Sequence, residues 1–253
     1  MKKHLPVKHG AAVFLVLMSM ILFSGQARAA SAGADPGADL KKLVSNLHWL
    51  GHDAFRIDGG GLVIYIDPFM LKKDAPKADL ILTTHDHFDH TSPDDIAKIR
   101  KPETVIVTVA KAAEKLTGDV RIVKPGDEIT VRGIGINAVA AYNTNKFRSP
   151  GVFFHPKEAG HAGYIVTVNG LRIYHAGDTD FIPEMKDLAP DVALLPVSGT
   201  YVMTAEEAIE AATAIRPKVA VPMHVGGPIG AMKSTEDFKA KAGVPELILP
   251  IEK

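Results

Sequence analysis

The sequence predicts an α+β fold in which two mixed β-sheets are covered by helices. Three observations predict it. Short β-branched runs outnumber helical stretches; tight-hairpin and strand-helix-strand signals both occur, so antiparallel and parallel pairs are expected together. The third is composition: 253 residues, 46% hydrophobic and 23% charged, are enough for a large core that needs no disulfide, and there is no cysteine to form one. The missing cysteine also excludes thiolate metal sites, cysteine nucleophiles and redox pairs.

Apolar, β-branched runs mark strands at 62–66, 79–84, 104–109, 120–123, 134–141, 163–168, 171–174, 192–197 and 219–223. Asn169-Gly170 sits between two alternating runs and signals a two-residue hairpin. Helices announce themselves through their caps. Ser92-Pro93-Asp94-Asp95 offers a capping serine, a proline at the first helical position and an acid at the third. Thr204-Ala205-Glu206-Glu207 is a capping box opening a helix that stops near Arg216-Pro217, and a further helix begins near Ser234.

The N-terminus is organised differently. Basic residues precede an apolar run over 11–23, and Ala27-Arg28-Ala29 supplies a small-residue cleavage site. The run is shorter than the ~20 residues of a membrane span, so residues 1–29 are expected to be a signal peptide rather than an anchor, with cleavage after Ala29 or Ala30. Residues 30–45 are expected to be a flexible linker and 46–253 the functional domain. Export, most simply to a bacterial periplasm, follows, without stable membrane insertion after cleavage. The full chain has a formal net charge of zero, but the first 29 residues hold four of its 29 basic groups and no acid, leaving the mature chain near −4. A mildly acidic surface opposes a nucleic-acid partner, which would need a basic stripe, and a small-molecule substrate is expected instead.

The strongest chemical signal is His85-Asp86-His87-Phe88-Asp89-His90, directly after an apolar strand and before the Ser92 cap. Chance would produce this arrangement in about one chain of this size in a thousand. A turn can fold three imidazoles and two carboxylates over one point, whereas an extended strand sends neighbours to opposite faces. Nitrogen and oxygen donors without sulfur suit one or two divalent ions, zinc first, with manganese or iron as alternatives. Two more strands end in the same way, one in His175-Ala176-Gly177-Asp178 and one in His224-Val225-Gly226. Sites in α/β folds collect at the carboxyl ends of strands, so these three ends are expected at one edge.

Together with Trp49-Leu50-Gly51-His52, Ile66-Asp67-Pro68-Phe69 and Pro222-Met223-His224, these motifs make the chain resemble the metallo-β-lactamase-fold hydrolases, most closely the lactonase-like branch and related metal-dependent hydrolases. The resemblance runs from about Leu47 to the C-terminus and implies a four-layer αββα sandwich with one or two metal ions at one edge. It implies His85 and His87 as ligands of the first ion, Asp89, His90 and His224 as ligands of the second, and Asp178 between them. Asp89 is also the expected catalytic carboxylate. Where relatives carry a further histidine for the first ion, this chain has Asn143, a poor ligand; either His155 or His161 takes that place, with His155 favoured, or the first site is weak. A ligating imidazole usually gives its other ring hydrogen to a carboxylate or carbonyl, which points to Asp67 as a supporting residue. His52, His175 and Tyr201 are further candidates to line the cavity or meet substrate.

The expected reaction follows from the ion. A divalent cation lowers the pKa of bound water from about 16 to roughly 7, and the resulting hydroxide can attack a small ester, lactone, amide or phosphodiester. The alternatives are a phosphodiesterase or nuclease of the same fold, or a metal-binding protein without catalysis, which Asn143 leaves open.

Overall fold

Alternation along three parallel strands explains the layering. In β3 (Leu62–Ile66), β4 (Leu80–Thr83) and β5 (Val105–Val109), the even-odd switch of side chains sends Ile64, Ile66, Leu80, Leu82, Val105 and Val107 into one apolar cluster. It sends Tyr65, Ile81 and Ile106 into another, where they meet Ile96 and Ile99 of α2 (Pro93–Ile99). Strands buried on both faces read as continuous hydrophobic runs, which is why β4 and β5 are legible from the sequence.

The computed structural model describes Met1, residues 36–241 and residues 243–252. Asp35–Lys253 is one compact unit. The expected signal peptide and the first residues of the expected linker lie outside the described residues.

With β1 (Leu47–Gly51), β2 (Ala54–Gly59) and β6 (Asp119–Val123), the first sheet has the order β1-β2-β3-β4-β5-β6. Its first three strands are antiparallel and the rest parallel. The second sheet is built from β7 (Glu128–Val131), β8 (Ile134–Ala140), β11 (Ala162–Val168), β12 (Leu171–His175), β13 (Val192–Pro196) and β14 (Val219–Met223), in the order β14-β13-β12-β11-β8-β7. A ribbon of β9 (Phe147–Ser149) and β10 (Val152–Phe153) stands apart from both. The inner faces of the two sheets share one core, which also takes in Ala208, Ala211, Ala212 and Ile215 from α4 (Ala205–Ile215). These are the two mixed sheets with covering helices that the sequence predicts.

Local signals behave as expected. Ser92 Oγ accepts from Asp95 N, and Thr204 with Glu207 forms the reciprocal capping box. Val168 pairs with Leu171 across Asn169-Gly170, both of which take positive φ as a two-residue turn requires. One expectation needs correction. The sequence places residues 36–45 in the flexible linker, but Pro36–Ser45 form a helix, α1, with Leu43 buried and Leu40 and Val44 packed beside it. That i, i+3, i+4 stripe outweighs the Ala-Gly-Asp-Pro composition just before it. Among the described residues no helix is long and apolar enough to cross a membrane.

Candidate metal centre

The 84–91 segment is tied back onto the strands around it. Thr84 donates from its backbone N and its Oγ1 to the carboxylate of Asp67, at 2.8 and 2.7 Å. Thr91 Oγ1 donates to His85 O at 2.6 Å, and the amides of His90 and Thr91 both donate to His87 O. Asp67 directly follows β3 with a φ of 47°, an unusual conformation for a non-glycine residue, and is fully buried. The motif is therefore a closed loop anchored on one buried carboxylate.

Four imidazoles are oriented by one rule. Each gives its Nδ1 hydrogen to a neighbour outside the cluster, which leaves the Nε2 lone pair facing in. Thr84 Oγ1, whose own hydrogen goes to Asp67, accepts from His85 at 3.0 Å; Asp67 accepts from His90 at 2.8 Å. Ser198 Oγ accepts from His224 at 2.8 Å and Asn143 Oδ1 from His155 at 3.1 Å. His87 instead turns its Nδ1 inward, 3.0 Å from His85 Nε2 and 3.3 Å from His155 Nε2.

The inward atoms fall into two sets. In the first, His85, His87, His155 and Asp178 present donor atoms that all lie within 4.8 Å of one another. Asp178 Oδ2 is 3.3 Å from His155 Nε2 and 3.9 Å from His85 Nε2. A tetrahedral ion with bonds of about 2.0 to 2.1 Å has ligand-to-ligand edges of about 3.3 Å, so these spacings fit a cation. The second set gathers Asp53, His90, Asp178 and His224 under the same limit, and His52, His90 and His224 form an overlapping group. Asp178 Oδ1 is 3.4 Å from both His90 Nε2 and His224 Nε2. All three atoms are buried and lack a hydrogen-bond partner. Buried polar atoms are rarely left so, and converging orphans of this kind fit a bound cation.

Charge in the cluster follows from burial and neighbours. Burial pushes His155 down to about 4, and burial with the His90 charge pushes His85 well below the ordinary range, so both rings are neutral at pH 7, the form that binds metal. Burial also lowers His90, but Asp178 and Asp67 outweigh it and hold that ring well above the usual value. Asp178 responds in the opposite sense: burial would raise it, but His90 and His224 keep it well below the carboxylate range.

The sequence-derived site is thus brought together, with several differences of detail. His155, not His161, completes the first set; His161 Nε2 stands 3.6 Å from Asp86 Oδ1. Asn143 holds that histidine, accepting from both its backbone N and its ring, and donates to Tyr201 O at 2.9 Å. Asp89 falls outside both sets; its Oδ2 is 3.2 Å from His52 Nε2 and 3.9 Å from His90 Nε2. His52 moves closer than expected, with its ring 4.3 Å from that of His224. His175 lies behind the cluster, its Nδ1 accepting from Gly177 N and its Nε2 donating to Asp53 O at 2.9 Å. Tyr201 is partly exposed and its ring packs on Phe154 at 4.5 Å. Asp53 is the residue sequence reasoning missed, because a lone acid in the turn between β1 and β2 carries no spacing signal.

A family model described as the beta-lactamase superfamily domain matches residues 46–224, which span every donor above. The chain belongs to the beta-lactamase superfamily. Among curated proteins, it is 33% identical to a UPF0173 metal-dependent hydrolase of Thermoplasma acidophilum over 81% of this chain and 96% of the relative. It is 36% identical to one of Methanoculleus marisnigri over 76% and 86%. A solved structure of a Parabacteroides distasonis protein assigned to the metal-dependent hydrolases superposes with a TM-score of 0.71 at 35% identity, covering 81% of this chain and 93% of the other. This superfamily member is therefore a metal-dependent hydrolase of the metallo-β-lactamase fold.

Within it, Asn143 has a measurable role. Asn143→Ala removes the acceptor for the His155 ring, and loss of such a partner typically weakens metal affinity by about 10- to 100-fold. Zinc titration of the variant should show that loss at one ion, and Asn143→Asp, which keeps an acceptor, should recover most of it.

Proposed function

We propose that this protein is an exported hydrolase of a small ester, lactone, amide or phosphodiester, with zinc as the preferred ion and manganese or iron as substitutes. The observation that carries the reading is the convergence of inward-facing imidazole and carboxylate atoms at the edge of the sandwich. His85, His87, His155 and Asp178 would hold the first cation, and Asp178, His90 and His224 the second. When bound, such ions polarise a carbonyl or phosphoryl oxygen and acidify a water molecule.

The chain's own groups supply the rest. Burial would raise the Asp89 carboxyl, but the hydrogen bond from His52 and the His90 charge pull it down to about 2. A carboxylate held ionised that firmly is a weak base, so its part is to orient the attacking water or to reach the second cation from the rim, with His52 fixing its direction. Phe88, 66% exposed, stacks edge-on with Phe69 at 5.7 Å, and Phe69 in turn meets His52 at 6.1 Å. This aromatic wall beside the donors suits a small substrate with an apolar flank. The acidic mature chain opposes a nucleic acid. A non-catalytic metal-binding role loses its main support, because Asn143 Oδ1 faces the His155 ring and can aim it at the first cation.

The test uses protein beginning at Ala30 or Ser31, stripped with a chelator and reloaded with Zn2+, Mn2+ or Fe2+. Ester, lactone and bis-aryl phosphodiester hydrolysis should vanish on stripping and return with one of the ions. A rate unchanged by chelation would overturn the reading. For export, protein recovered from the envelope should begin near Ala30; an intact Met1 would contradict it.

A further inference from the structure

The resemblance that identifies His85, His87, Asp89, His90, Asp178 and His224 assigns nothing to Asp53, yet no other side chain in the centre is so poorly accounted for. Asp53 is fully buried and neither of its carboxylate oxygens has a hydrogen-bond partner. Its backbone is pinned in the turn between β1 and β2 by the His175 Nε2 hydrogen, donated to Asp53 O at 2.9 Å. The nearest imidazole nitrogen recorded is His90 Nδ1, 3.9 Å from Asp53 Oδ2, but that hydrogen is already given to Asp67 at 2.8 Å. A buried carboxylate with no donor is strongly disfavoured unless a cation compensates it. Asp53 also lies where one could: a donor atom of its carboxylate is within 4.8 Å of those of His90, Asp178 and His224, and the inward atoms of all three are themselves without partners.

We propose that Asp53 is a direct ligand of the second metal ion. It rests on the two-ion reading above and deepens it. Four elements then each contribute one group: the β1-β2 turn gives Asp53, the loop after β4 gives His90, the loop after β12 gives Asp178 and the end of β14 gives His224. Two carboxylates and two imidazoles make this donor set richer in oxygen than the first, which has three imidazoles and one carboxylate. The second position therefore accepts Mn2+ and Fe2+ more readily, relative to Zn2+, than the first does.

Zinc binding to the full mature protein, read by equilibrium dialysis and metal analysis, tests the assignment beside Asp53→Asn. The wild type should retain two Zn2+ per chain. Asp53→Asn should keep one at unchanged affinity and bind the other at least about 100-fold more weakly, more than the loss of a merely supporting partner. Added zinc should raise the melting temperature of the variant less than that of the wild type. A crystal structure of the zinc-loaded wild type gives the answer whether or not the variant folds: an Asp53 oxygen should sit about 2.0 to 2.2 Å from the second ion. Two ions bound equally well by the variant, or both Asp53 oxygens beyond 3 Å from the ion, would overturn the assignment while leaving the two-ion reading intact. A wild type that binds no ion would overturn both.

Discussion

Asp178→Ala is expected to lower kcat/KM by at least about a thousandfold, a loss of about 4 kcal/mol in transition-state stabilisation, while leaving the fold in place. The size follows from its position. Its Oδ2 faces the first donor set, 3.3 Å from His155 Nε2, and its Oδ1 faces the second, 3.4 Å from His90 Nε2 and from His224 Nε2. One truncation thus removes a negative oxygen from each of two clusters of imidazoles. In the metal-free protein it also removes the carboxylate that most strongly supports charge on His90. Metal analysis should show fewer than one tightly held ion per chain, and circular dichroism should remain that of the wild type. Asp178→Asn keeps the shape but not the charge, and should lie much closer to alanine than to the wild type.

Asp67→Ala should act on stability instead. The Asp67 carboxylate is fully buried and accepts from Thr84 N, Thr84 Oγ1 and His90 Nδ1. Truncation leaves three donors without partners in a site water does not reach, which costs about 3 to 5 kcal/mol. In a domain of this size that corresponds to a melting temperature lower by roughly 10 °C. Asp67→Asn is the informative control, since asparagine tolerates the φ of 47° at this position but brings fewer acceptors. It should lose a part of the stability and, because His90 is no longer aimed, most of the affinity for the second ion. Thermal denaturation with and without zinc separates the two effects.

What the sequence made legible was local. The 85–90 motif, the strand-end residues Asp178 and His224, and the caps at Ser92 and Thr204 each announce themselves within a few positions of chain, and the structure brings His85, His87, His90, Asp178 and His224 into the two donor sets. What stayed hidden depends on distant segments meeting. His155 reaches the first donor set because the 143–161 segment folds back on itself, so that Asn143 N donates to His155 O while Asn143 Oδ1 takes the hydrogen of the His155 backbone. Spacing alone could equally have chosen His161. Asp53 and His52 lie in a tight turn whose side chains matter only because β14 ends beside it, with His52 N donating to Val225 O. The helix over 36–45 was masked by a composition suited to a tether, although three apolar residues at helical spacing were enough to dock it.

Anomalous diffraction from crystals of the zinc-loaded protein tests the central claim most directly. Two peaks are expected, one enclosed by His85, His87, His155 and Asp178 and the other beside His90, Asp178 and His224. Zinc bound only at other places on the protein, with no peak inside this ring of imidazoles, would contradict it.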